Sequence, residues 1–322
     1  MKFSFPFLLA ALLPSSDAQS VTPLHGSGTT NPQKCYWDIM DKLEKQAKLP
    51  VRMTYRGVGS GTGQKEFIGL DDASRPYNDF GSGDIPLDEE DYNSFAGTEI
   101  YHLPIVMGAI SFFHSVPTDG KALNLTPCVL AKILNRDITD WTDPEIIELN
   151  PDLSLPSPFE ITVARRVKGS SSTASITSYL NFACGAEWGE ELVGKTISWK
   201  AETVGCEGSG GMTACIRDKP GTIGYIDIGH GHAEGLSEIA LRNAAGNYLT
   251  SLEAKERGGI LAAASPSAGI PENLNESFAD VNLLNQVCFH QCSTLIEQNR
   301  NTHLLFLTFL YRTELSLGLL SR

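Results

Sequence analysis

Positive charge is scarce in this chain: 25 Lys and Arg stand against 38 Asp and Glu over 322 residues, a formal net charge of −13. Such a balance argues against nucleic acid and acidic membranes, which need a basic face. Charged residues of both signs reach only 20%, too few for a disordered polyelectrolyte. There is no internal repeat and no low-complexity tract. The one late apolar run, Leu304 to Tyr311, is far below the roughly 20 residues a spanning helix needs. Several Gly-rich motifs are also missing. Neither Gly tract is followed by the Gly-Lys-Ser/Thr of a phosphate-cradling P-loop. The dinucleotide pattern G-x-G-x-x-G fails because Thr62 and Gln64 occupy the third-glycine positions. No G-x-S-x-G nucleophile elbow occurs.

What is present is a chain 41% hydrophobic, long enough for a sizeable core and better divided into two domains than one. Residues 1–20, MKFSFPFLLAALLPSSDAQS, carry one Lys, an apolar run and small residues at Ser16 and Ala18. This pattern predicts a signal peptide over 1–18, cut after Ala18, and an exported, soluble product. Lys2 and Asp17 cancel, so its removal leaves the net charge unchanged. Seven cysteines (35, 128, 184, 206, 215, 288, 292) fit an oxidising compartment and leave one unpaired within the chain. Connectivity is not readable from spacing, but Cys206 with Cys215, across a Gly-rich loop, is the favoured pair. The C-x-x-x-C at 288–292 lacks a second ligand pair at zinc-finger spacing, and the H-x-H of His230 and His232 lacks a third ligand. No metal is expected, and GHGH reads as a solvated loop.

Short β-like runs alternate with helical ones, the signature of α/β layers. Tyr36, Ile39, Met40, Leu43 and Ala47 recur at helical spacing, with Asn31 placed to cap and Pro32 at the first helical position. Val51, Met53 and Tyr55 alternate as a half-buried strand ended by a Gly-rich turn over 57–63. RPYNDFGSGDIPL, 75–87, reads as strand and turn, with a helix begun near Asp88. The nearly unbroken apolar run 101–114 reads as a strand crossing a domain junction. Helical stretches follow at 128–135 and 144–149, then a strand at 161–166, a helix through 176–183, and a strand at 222–229.

Three tracts gather hydrogen-bond donors: GSGTTNP at 26–32, GVGSGTGQ at 57–64 and RRVKGSSST at 165–173. Each sits in the same order of strand, donor-rich turn and helix start. The first turn of a helix leaves backbone N–H groups unpaired and carries partial positive charge. Three such starts aimed at one point make an anion site that needs little net charge. Any single tract taken alone reads better as a surface loop with capping serines. Asp84, in NDFGSGDIPL, is by itself a common turn residue.

In order and spacing these stretches resemble the phosphate-binding proteins of ABC-type phosphate uptake, a two-lobed periplasmic-binding-protein-like branch. The resemblance runs from about residue 24 to about 287. It is carried by GSGTTNP, MTYRGVGSGTGQKEF, NDFGSGDIPLDEEDY, LPIVMGAISFF, ITDWTDPEIIELNPDLSLPS, ITVARRVKGSSSTASITSYL and PGTIGYIDI. It implies an α/β fold of type II with two hinge crossovers: lobe I over 19–104, lobe II over 105–236, and a return to lobe I over 237–322. The implied ligand is inorganic phosphate, held by Thr30, the backbone N–H of Asn31, Ser60, Asp84, Arg166, Ser170, Ser171 and Ser172. It further implies a monomer without cofactor or catalysis, secreted or periplasmic, and allows a membrane permease complex as partner.

Asp84 among anion ligands has a physical rationale. Monohydrogen phosphate carries a proton to donate and an ionised carboxylate can only accept, whereas sulfate has none to give. This speaks against oxyanions such as tungstate or thiosulfate. Three departures from the family pattern stand out. Lys168 replaces an Asp expected to pair with the clamp arginine, and Ser171 replaces a Gly beside the ligand. From about residue 288 the tail departs from the family's terminal segment and is expected to leave the first lobe less covered. Alternative readings are a phosphatase-like enzyme on the same fold, against which no nucleophile–base pair or bimetal set is found, and an interaction paralogue without ligand. Asn275-Glu-Ser is a usable glycosylation sequon; Asn124-Leu-Thr, followed by Pro127, is poorer.

Overall fold

The structure, a computed structural model, describes residues 20–69, 78–85, 87, 90–91, 100–243, 246–256 and 303–312. The expected signal peptide, the helix start at Asp88, Cys288, Cys292 and the Asn275 sequon lie outside the described residues.

The first lobe opens with β1 (Thr22–Gly28), α1 (Gln33–Gln46), β2 (Val51–Gly57), α2 (Ser60–Ile68) and β3 (Phe80–Gly83), and β1 pairs in parallel with both β2 and β3. The alternation in β2 turns Tyr55 inward, where it joins Tyr36, Met40 and Phe80 in a small cluster. The helix α1 starts one residue later than expected. Pro32 takes the cap position with φ −93° and no side-chain cap, and the Asn31 amide is drawn elsewhere. The expected Gly-rich turn over 57–63 is half helix. Gly59, at φ +91°, makes the turn and α2 begins at Ser60. Gly63 lets α2 lie on β1: a Cβ there would stand 2.2 Å from the Gly28 Cα.

The long strand β4 (Ile100–His114) is the expected junction-crossing strand. Its first part pairs with β11 (His303–Arg312) and its last five residues with β8 (Thr222–Asp227), both antiparallel. The second lobe adds β5 (Leu123–Leu125), α3 (Pro127–Leu134), α4 (Pro144–Leu149), β6 (Thr162–Arg166), α5 (Ser171–Cys184), β7 (Thr203–Cys206) and α6 (Gly208–Asp218). After β8 come α7 (Ile228–Ala233), β9 (Ser237–Arg242), β10 (Tyr248–Leu249) and α8 (Ser251–Glu256). The main sheet runs β2-β1-β3-β11-β4-β8-β6-β7, so one twisted layer passes through both lobes. The second lobe holds the larger core, around Trp141, Trp188, Phe112, Phe113 and Tyr225. Both indole N–H groups are satisfied, Trp141 donating to the Gly221 carbonyl and Trp188 to the Leu192 carbonyl.

Three expectations change here. The strand at 222–229 stops at Asp227, whose side chain accepts from the His230 amide and starts α7. His230 and His232 therefore stand on a short helix, not in a solvated loop. They face different carboxylates: His230 Nδ1 lies 2.7 Å from Asp227 Oδ2 without hydrogen-bond alignment, and His232 Nε2 lies 3.2 Å from Glu238 Oε2. The tail, expected to leave the first lobe less covered, supplies β11, which fills the place between β3 and β4. Its pairing with β4 spans ten residues with one irregularity at Leu307/Thr308. Cys206–Cys215 is bonded as expected, and a second disulfide, Cys128–Cys184, ties α3 to the end of α5. Cys35 is free and exposed. Among the described residues, no helix is long and apolar enough to cross a membrane.

Candidate anion-binding site

The three donor tracts and Asp84 meet where the lobes touch. Asp84 follows β3 and is 1% exposed. Its Oδ2 accepts from Thr29 Oγ1 at 2.7 Å and Asn31 Nδ2 at 3.1 Å, both of the first loop. Ser60 Oγ, at the start of α2, lies 3.2 Å from the same oxygen, and Ser171 Oγ, in the first turn of α5, donates to it at close range. Ser60 Oγ is also 2.8 Å from Ser171 Oγ, so its single proton serves one of them at a time. Oδ1 is buried without a hydrogen-bond partner among the described residues.

Burial pushes the Asp84 carboxyl up from 3.8 to about 6, against the donation of Ser171, Thr29 and Ser60, and the charge of Asp227 pushes the same way. Arg166, at the end of β6, is 7% exposed, and its Nε has no hydrogen-bond partner among the described residues. Burial lowers its pKa from the usual value, while Tyr225 and the charges of Asp84, Asp227 and Glu207 act in the opposite direction. A guanidinium stays protonated through such shifts. Its backbone N–H donates to the Tyr225 hydroxyl at 3.2 Å, and that hydroxyl pairs with Thr173 Oγ1 at 2.7 Å. Tyr225 thus fixes where β6 hands over to the donor turn.

The remaining expected residues are gathered as well. Ser170 caps α5 by position, without a side-chain cap bond, and its amide donates to the Lys195 carbonyl at 3.0 Å. Ser172 Oγ accepts from Asn31 Nδ2 at 3.4 Å, which links the lobes. Two residues face differently from expectation. The Asn31 backbone N–H, expected on the ligand, donates to Thr29 Oγ1 at 3.3 Å, and its amide side chain turns to Asp84 instead of capping α1. The Thr30 hydroxyl, also expected on the ligand, faces Ser209 Oγ at 2.9 Å.

Lys168 does not add net positive charge as its replacement of an Asp suggests. Its Nζ is paired with Glu207, the residue before α6. Glu207 and Asp227 both act on Arg166, so acidic charge reaches this arginine from other elements. Thr29 and Ser209 are site residues the sequence reading did not single out. Thr29 stands inside a quoted tract. Ser209 sits in CEGSGG, another strand, Gly/Ser turn and helix start, and that same pattern is the signal that points to it.

Hydroxyls, two helix starts and one buried guanidinium thus gather around a buried carboxylate, a donor-rich arrangement of the kind that suits an oxyanion. The chain belongs to the PBP superfamily, whose domain matches residues 13–296. Within it, the branch is that of the PstS phosphate-binding proteins. The chain is 30% identical over 251 residues to the phosphate-binding protein PstS of Haemophilus influenzae, covering 77% of this chain and 70% of that one. With the PstS of Methanocaldococcus jannaschii it shares 29% over 277 residues, 81% of this chain and 69% of that one. Among solved structures, the periplasmic phosphate-binding protein PfluDING, determined with phosphate bound, matches at TM-score 0.64 and 18% identity. That match covers 90% of this chain and 80% of that one. A phosphate-binding protein of Stenotrophomonas maltophilia matches at 0.55 and 16%, covering 90% and 78%. These structural likenesses establish the two-lobed fold.

Proposed function

We propose that this protein is an exported solute-binding protein that captures inorganic phosphate between its lobes and delivers it for uptake, with a permease complex as its membrane partner. The observation that carries the reading is the asymmetry of Asp84. One carboxylate oxygen is crowded by hydroxyl and amide donors, while the other is buried and has no partner among the described residues. Monohydrogen phosphate answers both needs. Its proton goes to Oδ1, and its other oxygens take hydroxyl protons that now crowd Oδ2, those of Ser60 and Ser171 first. Arg166 supplies charge-assisted bonds, and the starts of α2 and α5 contribute backbone N–H groups.

Sulfate at neutral pH has no proton for Oδ1 and would set an anionic oxygen against an anionic carboxylate. A site built around a ligand hydroxyl rejects the analogue lacking it by about 10⁴–10⁵. The overall −13 does not oppose capture, because screening over about 8–10 Å hides distant acids. Calorimetric titration of the mature chain with phosphate and with sulfate at pH 8 tests the reading. Heat with phosphate and none with sulfate is expected; equal affinity for both would overturn the role of Asp84, and heat with neither would overturn the ligand. Turnover of a chromogenic phosphate ester would add an enzymatic activity that this reading does not include.

A further inference from the structure

We propose that Ser209 is a positioning residue: it latches the second lobe onto the ligand loop of the first and thereby sets how long phosphate stays bound. The inference rests on the phosphate-binding reading for its kinetic readout only. Ser209 stands in the first turn of α6 and is 1% exposed. Its contacts run to two adjacent residues of the first lobe, Thr30 and Asn31, more than 170 positions away in sequence.

Proton counting fixes the direction of each bond. The Ser209 backbone N–H, one of the orphan donors of a helix start, donates to Thr30 Oγ1 at 3.2 Å. Asn31 turns its Nδ2 to Asp84, so its Oδ1 is the end presented to Ser209, and Ser209 Oγ donates to it at 3.1 Å. A serine has one hydroxyl proton. The 2.9 Å contact between Thr30 Oγ1 and Ser209 Oγ must then be donated by Thr30. All three protons are used, and each bond crosses from one lobe to the other.

Both ends are held. On the second-lobe side, Cys206–Cys215 closes the start of α6 onto its own helix, and Met212 and Ile216 are buried in the main core. Gly208, at φ +64°, makes the turn that aims Ser209, and a Cβ there would stand 3.5 Å from the Thr30 methyl. On the first-lobe side, the loop continues through Asn31 to Asp84. Separating the lobes breaks three bonds at this point, none of them made by Asp84, Arg166, Ser60 or Ser171. The latch acts on opening, hence on the dissociation rate.

The test compares wild type with Ser209→Ala, Thr30→Val and the double variant. Each is followed by stopped-flow phosphate association and dissociation, with melting temperature as the check on folding. Losing the two side-chain bonds in Ser209→Ala should speed dissociation by about 10-fold and leave association within about 2-fold. Because the Thr30–Ser209 side-chain bond is lost in either single variant while the bond to Asn31 is lost only with Ser209, the double variant should dissociate about 3-fold faster than Thr30→Val alone and not the full 10-fold. Unchanged dissociation in Ser209→Ala, or fully additive effects, would overturn the latch. Should the wild type bind no phosphate, the functional reading fails and small-angle scattering of the ligand-free chain decides the latch. A larger radius of gyration in Ser209→Ala supports it and an equal radius overturns it.

Discussion

Replacing Asp84 by Asn isolates the energetic cost of keeping a carboxylate in this site. The group is buried and its pKa is pushed from 3.8 to about 6. Because the folded value is raised, its favourable contribution to stability is complete below the unfolded value and is lost as pH rises through about 6. At about 1.4 kcal/mol per unit, a shift of roughly two units costs the ligand-free chain about 3 kcal/mol at pH 8 relative to pH 3.5. That is a large fraction of the 5–15 kcal/mol or so that holds a domain together. In Asp84→Asn the amide oxygen can take the place of Oδ2 and keep its donors, with the NH₂ at the position of Oδ1. The ionisation cost disappears. The difference in unfolding free energy between variant and wild type should therefore grow from pH 4 to pH 7 by about 2 kcal/mol, apart from any constant offset. Urea unfolding of both proteins at half-unit pH intervals, without phosphate, measures it. Parallel curves across this range would refute the buried, ionisation-resistant carboxylate. The same variant should lose discrimination against sulfate more than affinity for phosphate, since an amide donates to either anion.

Gly63→Ala should destabilise the first lobe by several kcal/mol, because the new methyl meets backbone at 2.2 Å and α2 must lift from β1; a drop in melting temperature of only a degree or two would count against that packing. Of the two disulfides, Cys128–Cys184, closing 56 positions, should contribute about 4 kcal/mol and Cys206–Cys215, closing 9, about 2.5 kcal/mol on the chain-entropy estimate. Paired Cys→Ala variants under denaturant check that order. Lys168→Ala should change phosphate association at low salt less than 2-fold or so, since Glu207 already balances the ammonium. Glu207→Gln should speed association at low salt, with the gain fading at high salt; no salt-dependent gain would mean that the pair does not mask Lys168.

The sequence by itself determined the local grammar of this protein. Alternating apolar residues set β2, 3.6-residue spacing set α1, and the repeated order of strand, Gly/Ser turn and helix start located the donor tracts around Thr30, Ser60 and Ser170 to Ser172. Those features depend on neighbours a few positions apart, which is why they are legible. The burial of Asp84, which moves its protonation, needed tertiary structure, because the groups that desolvate it come from both lobes. So did the turning of the Asn31 amide from helix cap to carboxylate, where a distant acceptor outcompetes a local one. Ser209 meets Thr30 across a separation of 179 residues, and Cys128 meets Cys184 across 56. No periodicity encodes such meetings. The same holds for β11: an apolar run in an unfamiliar tail is a strand because β3 and β4 leave backbone donors and acceptors for it to pair with, and a strand's partners are chosen by the fold around it.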